Sequence, residues 1–190
     1  MQKQSTKPSN SNCDEHDHGV QFKFEYKYCP MCATEMEWQH VFGAQRQQCP
    51  NCGWVHFRNL KVGAGVLAER DGKVVLARRG INPGKNKWCF PSGFVEYNES
   101  PEMGAVREFK EETGLDVEIT GLLDVVYYNA DFRGAGIMVL YGGKVIGGTP
   151  TPMDDVVEVG LFRKDEIPAD DEIAFESNRI ALAKWKNGRE

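Results

Sequence analysis

From Lys61 onwards, short apolar runs alternate with turn residues, which is the pattern of strands in a sheet. The segment Arg70-Asp-Gly-Lys73 lies between two such runs and is typical of a tight hairpin turn. The predicted strands cover residues 62–68, 74–77, 117–119, 122–128, 136–142, 144–146 and 156–162.

Two helices are predicted among these strands. The first follows Ser100, a favourable N-cap residue, with Pro101 at its first position and Gly114 as its C-terminal stop. The second covers residues 176–186.

Acidic side chains gather on one side of the first helix. At about 100° per residue, the face expected to be buried comprises Met103, Val106, Phe109 and Thr113. Glu108, Glu111 and Glu112 lie on the opposite side, where neither Arg107 nor Lys110 is expected to point. Like charges at this spacing repel by roughly 0.2–0.5 kcal/mol per pair. The cluster is therefore either a solvated face or a site for a cation.

The first 25 residues are polar and acidic and show no hydrophobic period, which predicts a disordered tail. Cys13, His16 and His18 within it are interpreted as a solvated segment with incidental metal affinity. No apolar run approaches the roughly 20 residues that span a bilayer, and no targeting signal is visible. We therefore expect no membrane partner and a cytoplasmic protein.

Four of the six cysteines occur in two C-x-x-C pairs separated by sixteen residues. Without a secretion signal, metal binding is favoured over disulfides. Two such pairs on successive turns can hold one tetrahedral Zn²⁺ with no open position, so the zinc would be structural. The predicted ligands are Cys29, Cys32, Cys49 and Cys52. The expected organisation is a tail over 1–25, a zinc ribbon over 26–58 and a main domain over 59–190.

The region from Gly93 to Leu115 resembles the Nudix hydrolase signature, G-x5-E-x7-R-E-U-x-E-E-x-G-U, in which U is a bulky apolar residue. Every fixed position is present, with Phe109 and Leu115 at the apolar positions. The matching residues are Gly93, Glu99, Arg107, Glu108, Glu111, Glu112 and Gly114. This resemblance implies an α/β/α sandwich with a mixed sheet.

The resemblance also implies an activity: hydrolysis of a nucleoside diphosphate linked to another group X, dependent on Mg²⁺ or Mn²⁺. Glu108, Glu111, Glu112 and the Gly93 carbonyl would hold the metal, which agrees with the preference of Mg²⁺ for oxygen ligands. Arg107 would pair with Glu99 and fix the loop onto the helix. The general base would be Glu111 or a later glutamate, either Glu172 or Glu176.

Substrate contacts are harder to assign. The basic run over 78–87 is either a solvated loop or a phosphate contact, the candidates being Arg78, Arg79 and Lys87. Tyr127, Tyr128 and Phe175 could stack on a base, although aromatic residues in such positions are more often core.

A ribbon before a Nudix domain is similar to NADH pyrophosphatases, but their S-Q-P-W-P-F-P-x-S motif is absent after residue 115. The size, the ribbon and the segment 165–175 look more like FAD and ADP-ribose pyrophosphatases. The expected substrate is therefore ADP-ribose or FAD.

Three alternatives remain: an NADH or NAD pyrophosphatase, a non-catalytic nucleotide sensor that uses the ribbon for docking, and a hydrolase of damaged nucleoside triphosphates, against which the ribbon argues. The complete set of acidic residues favours an enzyme over a sensor. The formal charge of −5 argues against general nucleic-acid binding. A homodimer is compatible with the resemblance.

Overall fold

The computed structural model describes residues 25–129 and 134–188. The chain divides into two compact units between Phe57 and Arg58. The predicted tail, with Cys13, His16 and His18, lies outside the described residues except for residue 25. Within the described ranges, no helix combines the length and the apolar character needed to cross a membrane.

The first unit is built on an antiparallel hairpin of β1 (Glu37–Val41) and β2 (Ala44–Gln48). Phe42 and Gly43 connect the strands with φ angles of 49° and 76°, the left-handed backbone of a tight hairpin turn.

The four paired cysteines of this unit place their sulfurs within 4.8 Å of one another. Cys29 and Cys52 have Sγ atoms 3.6 Å apart, and those of Cys32 and Cys49 are 3.4 Å apart. Backbone amides donate to two of the sulfurs, and hydrogen bonding to Thr34 lowers the pKa of Cys32 to about 6. Sulfurs arranged in this way suit a zinc ribbon.

The second unit is a mixed sheet with a helix on each face. Its strands are β3 (Lys61–Arg70), β4 (Lys73–Arg79), β5 (Trp88–Cys89), β6 (Ser92–Phe94), β7 (Leu115–Asn129), β8 (Ala135–Gly148) and β9 (Val156–Phe162). Its helices are α1 (Pro101–Thr113), a 3₁₀ turn (Asp170–Glu172) and α2 (Glu176–Lys186). The strand order is β5-β4-β3-β8-β7, with β6 paired to β3 and β9 paired to β4.

Strands β3 and β8 run parallel, and the other pairs are antiparallel. Successive residues of β3 point to opposite faces, so Val66 packs in the α1 core and Leu67 in the α2 core. Phe109 of α1 and Leu182 of α2 complete these two cores. This architecture confirms the predicted α/β/α sandwich with a mixed sheet.

Two strands are longer than predicted. Residues 117–119 and 122–128 belong to one strand, β7, and residues 136–142 and 144–146 belong to β8. The pairing of β7 shifts register at three places, the last between Leu122 and Asp124. Each shift breaks the two-residue alternation, so the hydrophobic pattern looks interrupted although the strand continues. The predicted bounds of β9 and α2 agree with the structure.

Candidate active site

Helix α1 is capped at both ends by the residues that the sequence predicts. The Ser100 hydroxyl accepts a hydrogen bond from the Met103 amide at 3.2 Å, and Pro101 occupies the first turn. Gly114 adopts a φ of 71°, and its amide donates to the Lys110 carbonyl. These caps fix the position at which the acidic side chains leave the helix.

The buried face of α1 differs from the predicted one. Phe109 and Thr113 are fully buried, as expected, but Met103 is 62% exposed and Glu112 is only 4% exposed. Ala105 packs in the core instead of Met103. The acidic side of the helix is therefore not simply a solvated face.

The loop between β8 and β9 explains the burial of Glu112. The Thr151 amide donates to the Thr113 carbonyl at 2.8 Å, and the Met153 amide donates to the Glu112 carbonyl at 3.3 Å. The last turn of α1 is thus covered by this loop as well as by the sheet. Helical periodicity predicts only one buried face, so it cannot anticipate a second contact.

Arg107 lies at the centre of the acidic cluster. Its guanidinium donates to Glu99 at 2.6 and 3.1 Å, and to Glu108 and Glu111 at 2.8 Å each. It also donates to the Phe94 carbonyl at 3.1 Å, which joins the loop to the helix. These contacts lower the pKa of Glu99 to about 2. The expectation that Arg107 points away from the acidic side chains is wrong, because its long side chain folds back over them.

The three acidic residues of α1 lie in different environments. Burial raises the pKa of Glu112 to about 8, although its carboxylate accepts a hydrogen bond from the Ser92 amide at 3.0 Å. Burial also raises the pKa of Glu108, against the attraction of Arg107. The Glu111 side chain is 53% exposed. Burial thus disfavours the charged form of Glu108 and Glu112 in the metal-free protein, and a bound cation would stabilise that charged form.

Gly93 lets the Glu108 carboxylate approach the backbone of β6. A Cβ atom built at position 93 would overlap this carboxylate. Gly93 pairs with Ala64 of β3, so neither the strand nor the helix is free to move aside. The Glu108 carboxylate thus lies against β6 at Gly93, and the Glu112 carboxylate bonds to the adjacent Ser92 amide, which gathers oxygen donors of the kind that hard divalent cations prefer.

Sequence reasoning missed two acidic residues beside this site. The charge of Asp154 contributes to the raised pKa of Glu108, and that of Asp155 to the raised pKa of Glu112. Asp154 adopts a φ of 53°, which is uncommon outside glycine. An acidic pair directly before a strand was the available signal, but nothing in its spacing links it to α1.

The proposed phosphate contacts have partners within the protein. The exposed Arg78 donates to the Asn86 carbonyl at 2.9 Å and to Glu158 at 3.1 Å. Arg79 is 8% exposed and lies inside the molecule. Lys87 is exposed at the end of the basic loop. The two arginine side chains thus have different partners, and contact of the three residues with phosphate stays a prediction.

The aromatic candidates are dispersed. Tyr127 is 60% exposed on β7 and Tyr128 is half-buried, while the Phe175 ring lies beneath the Arg79 guanidinium. Phe94, which the sequence reasoning missed, is 42% exposed directly after Gly93. The candidate bases Glu172 and Glu176 are both exposed, on the 3₁₀ turn and at the start of α2.

The family relationship agrees with this geometry. The NUDIX domain pattern matches residues 59–183. A Nudix hydrolase from Nitrosomonas europaea has a crystal structure that superimposes with a TM-score of 0.77 at 33% identity, covering 86% of this chain and 92% of that one. The chain therefore belongs to the Nudix family and is a Nudix hydrolase.

Two relatives carry more specific names. An ADP-ribose pyrophosphatase from Methanocaldococcus jannaschii is 38% identical over 125 residues, which is 64% of this chain and 72% of the relative. A NAD-capped RNA hydrolase, NudC, from Pseudomonas aeruginosa is 32% identical over 144 residues. This match covers 75% of this chain and 49% of the relative, so the chain spans about half of NudC.

The buried Glu112 predicts how stability depends on pH. Its folded-state pKa of about 8 lies above the ordinary 4.5, so the folded chain binds more protons and becomes less stable as pH rises between these values. Glu112→Gln should reduce this decline and stabilise the protein at pH 7 by about 3 kcal/mol. Urea unfolding at several pH values, without magnesium or manganese, measures the effect.

The matched control is Glu102→Gln, an exposed position on the same helix. If stability fell equally steeply with rising pH in the Glu112→Gln protein and in the unchanged protein, the raised pKa of Glu112 would be contradicted.

The close approach at Gly93 predicts the effect of one added methyl group. Gly93→Ala should displace the Glu108 carboxylate and reduce metal-dependent activity by at least about tenfold, because a shift of about 1 Å disturbs catalytic geometry. Gly121→Ala is the control, since a Cβ at position 121 meets nothing within 4 Å. Equal turnover numbers for the two variants would show that the close contact between Gly93 and the Glu108 carboxylate does not affect activity.

Proposed function

We propose that this Nudix hydrolase cleaves the pyrophosphate bond of a nucleoside diphosphate linked to a second group, with Mg²⁺ or Mn²⁺ as cofactor. The observation that carries the proposal is the approach of the Glu108 carboxylate to Gly93, with Glu112 bonded to the adjacent Ser92 amide and Glu111 joined to Glu108 through Arg107. Three carboxylates with one arginine among them leave excess negative charge, which a divalent cation would neutralise.

The metal ligands would be Glu108, Glu111, Glu112 and the Gly93 carbonyl. These ligands fit a divalent cation, because all of them are oxygen donors. Burial also disfavours the charged form of Glu108 and Glu112 when no cation is bound. A divalent cation bound there would neutralise the charge of the pyrophosphate and orient it. Arg107 would hold the ligands in place through its contacts to Glu99 and to the helix.

The proposed reaction is hydrolysis of the pyrophosphate bond, in which a general base takes a proton from the attacking water molecule. A water molecule attacks one phosphorus, the bond from that phosphorus to the bridging oxygen breaks, and a nucleoside monophosphate and phosphorylated X result. We assign the general base to Glu111, because it is the most exposed of the three helix carboxylates and can reach a water molecule. Glu172, on the 3₁₀ turn, and Glu176, at the start of α2, remain alternatives.

ADP-ribose is the substrate that we propose first, on the similarity to the archaeal ADP-ribose pyrophosphatase. FAD shares the same ADP moiety and is the second choice. Phe94 offers a half-exposed ring beside the site, with the Lys61 ammonium 5.5 Å from its centre, and could stack on the adenine. An NAD or NADH substrate is the alternative that the similarity to NudC favours.

A substrate panel tests this proposal. ADP-ribose, FAD, NADH, a nucleotide sugar and a modified deoxynucleoside triphosphate are compared with Mg²⁺, with Mn²⁺ and without metal. We expect metal-dependent release of AMP, fastest from ADP-ribose, and a rate about 10²–10⁴-fold lower for Glu111→Gln. The control Glu102→Gln should keep the full rate.

Two results would contradict the assignment. An unchanged rate in the Glu111→Gln variant would remove Glu111 from the chemistry. Tight binding of a nucleotide without turnover of any substrate would instead identify the chain as a sensor.

We also propose that the four-cysteine cluster holds a structural Zn²⁺, separate from the catalytic metal. Four thiolates would close the coordination sphere and leave no position for water. Elemental analysis should find about one zinc per chain. Cys49→Ser should abolish it, whereas Cys89→Ser, at a buried cysteine outside the cluster, should retain it. Full zinc content in the Cys49→Ser protein would contradict the ligand set.

A further inference from the structure

Arg79 is a buried cation that the proposed chemistry does not use. It ends β4, and its pairing with β9 is irregular, since Arg78 pairs with Glu158 but Arg79 pairs with Val156. The unpaired residue at this shift is Val157 of β9, and β4 itself keeps the alternation of a strand, in which neighbouring side chains point to opposite faces. Arg78 therefore stays exposed, while Arg79 turns inwards and keeps only 8% of its surface exposed.

The first group that Arg79 contacts is the basic loop, residues 80–87. Its Nε donates to the Pro83 carbonyl at 2.7 Å. Its backbone amide donates to the Lys87 carbonyl at 2.9 Å, and its own carbonyl accepts from the Asn86 amide at 2.8 Å. The side chain and the backbone of Arg79 thus hold the middle and the end of this loop.

The second contact is with the turn that precedes β9. The guanidinium lies 3.9 Å from the Asp155 carboxylate, and the Asp155 carbonyl accepts a hydrogen bond from the Gly80 amide at 2.7 Å. The neighbouring Met153 amide is the one that bonds to the last turn of α1. This turn therefore connects Arg79 to the backbone that encloses Glu112.

The third contact is with the segment that leads into α2. The guanidinium carbon lies 5.4 Å from the centre of the Phe175 ring. Ala174 packs so closely against Gly84 that a Cβ on the glycine would lie 2.8 Å from the alanine methyl group. The candidate bases Glu172 and Glu176 flank this segment in the sequence.

We propose that Arg79 is a positioning residue that holds three loops, 80–87, 153–155 and 173–175, around the active site, and that it is not a phosphate ligand. This proposal rests on the proposed function, because the loops matter through the residues that they hold beside the metal and the substrate. It revises the sequence-based interpretation of Arg79 as a substrate contact. A guanidinium suits this role because its planar fork can donate to two groups while its face packs on an aromatic ring.

The first test uses hydrogen exchange of the protein without nucleotide. Arg79→Lys keeps the charge but loses the fork, and should raise exchange about tenfold in all three loops together. The control is Arg163→Lys, at an exposed arginine outside the loops. Asp155→Asn should add little in the Arg79→Lys background, since both changes break the same network. Unchanged exchange in the three loops of the Arg79→Lys protein would overturn the proposal.

The second test separates positioning from phosphate binding and from a purely structural role. With the best pyrophosphate substrate, Arg79→Lys should lower kcat about 10- to 100-fold and change KM less than about threefold. A raised KM with weaker AMP binding would make Arg79 a phosphate ligand, and unchanged kcat and KM would make its role structural only; either result overturns the proposal. If no pyrophosphate is cleaved, the proposed function fails, while the exchange test still decides whether Arg79 joins the loops.

Discussion

The active site depends on one electrostatic constraint, the concentration of carboxylates within two turns of a single helix. Glu108, Glu111 and Glu112 would repel one another and weaken α1 if nothing compensated their charge. Arg107 provides that compensation within the chain, and by donating also to Glu99 it connects the helix to the loop before it. The same contacts would keep the carboxylates in place for the divalent cation that we propose.

The surrounding structure then gives each carboxylate a different character. Glu112 is enclosed by the sheet and by the loop before β9, and this burial raises its pKa to about 8. Glu111 remains open to solvent at the edge of the cluster. Residues with the same side chain on one helix can thus differ in pKa and in exposure, because solvation rather than chemical identity sets these properties.

The two proposed metal sites differ in ligand type. Thiolates gathered within 4.8 Å in the first unit suit zinc and leave no open position. Oxygen donors on α1 and β6 of the second unit suit magnesium or manganese, which keep positions free for water and substrate. The two sites lie in different compact units, so the soft and hard ligands are not mixed.

The sequence by itself determined the local features of this protein. Ser100, Pro101 and Gly114 fixed the ends of α1, and the spacing of the signature identified the family, because caps and spacings act within a few residues. The tertiary structure decided what depends on distant segments: the inward turn of Arg79, the approach of Asp155, and the burial of Glu112. Those outcomes depend on segments about forty residues or more away along the chain, and neither periodicity nor composition records which segments meet in space.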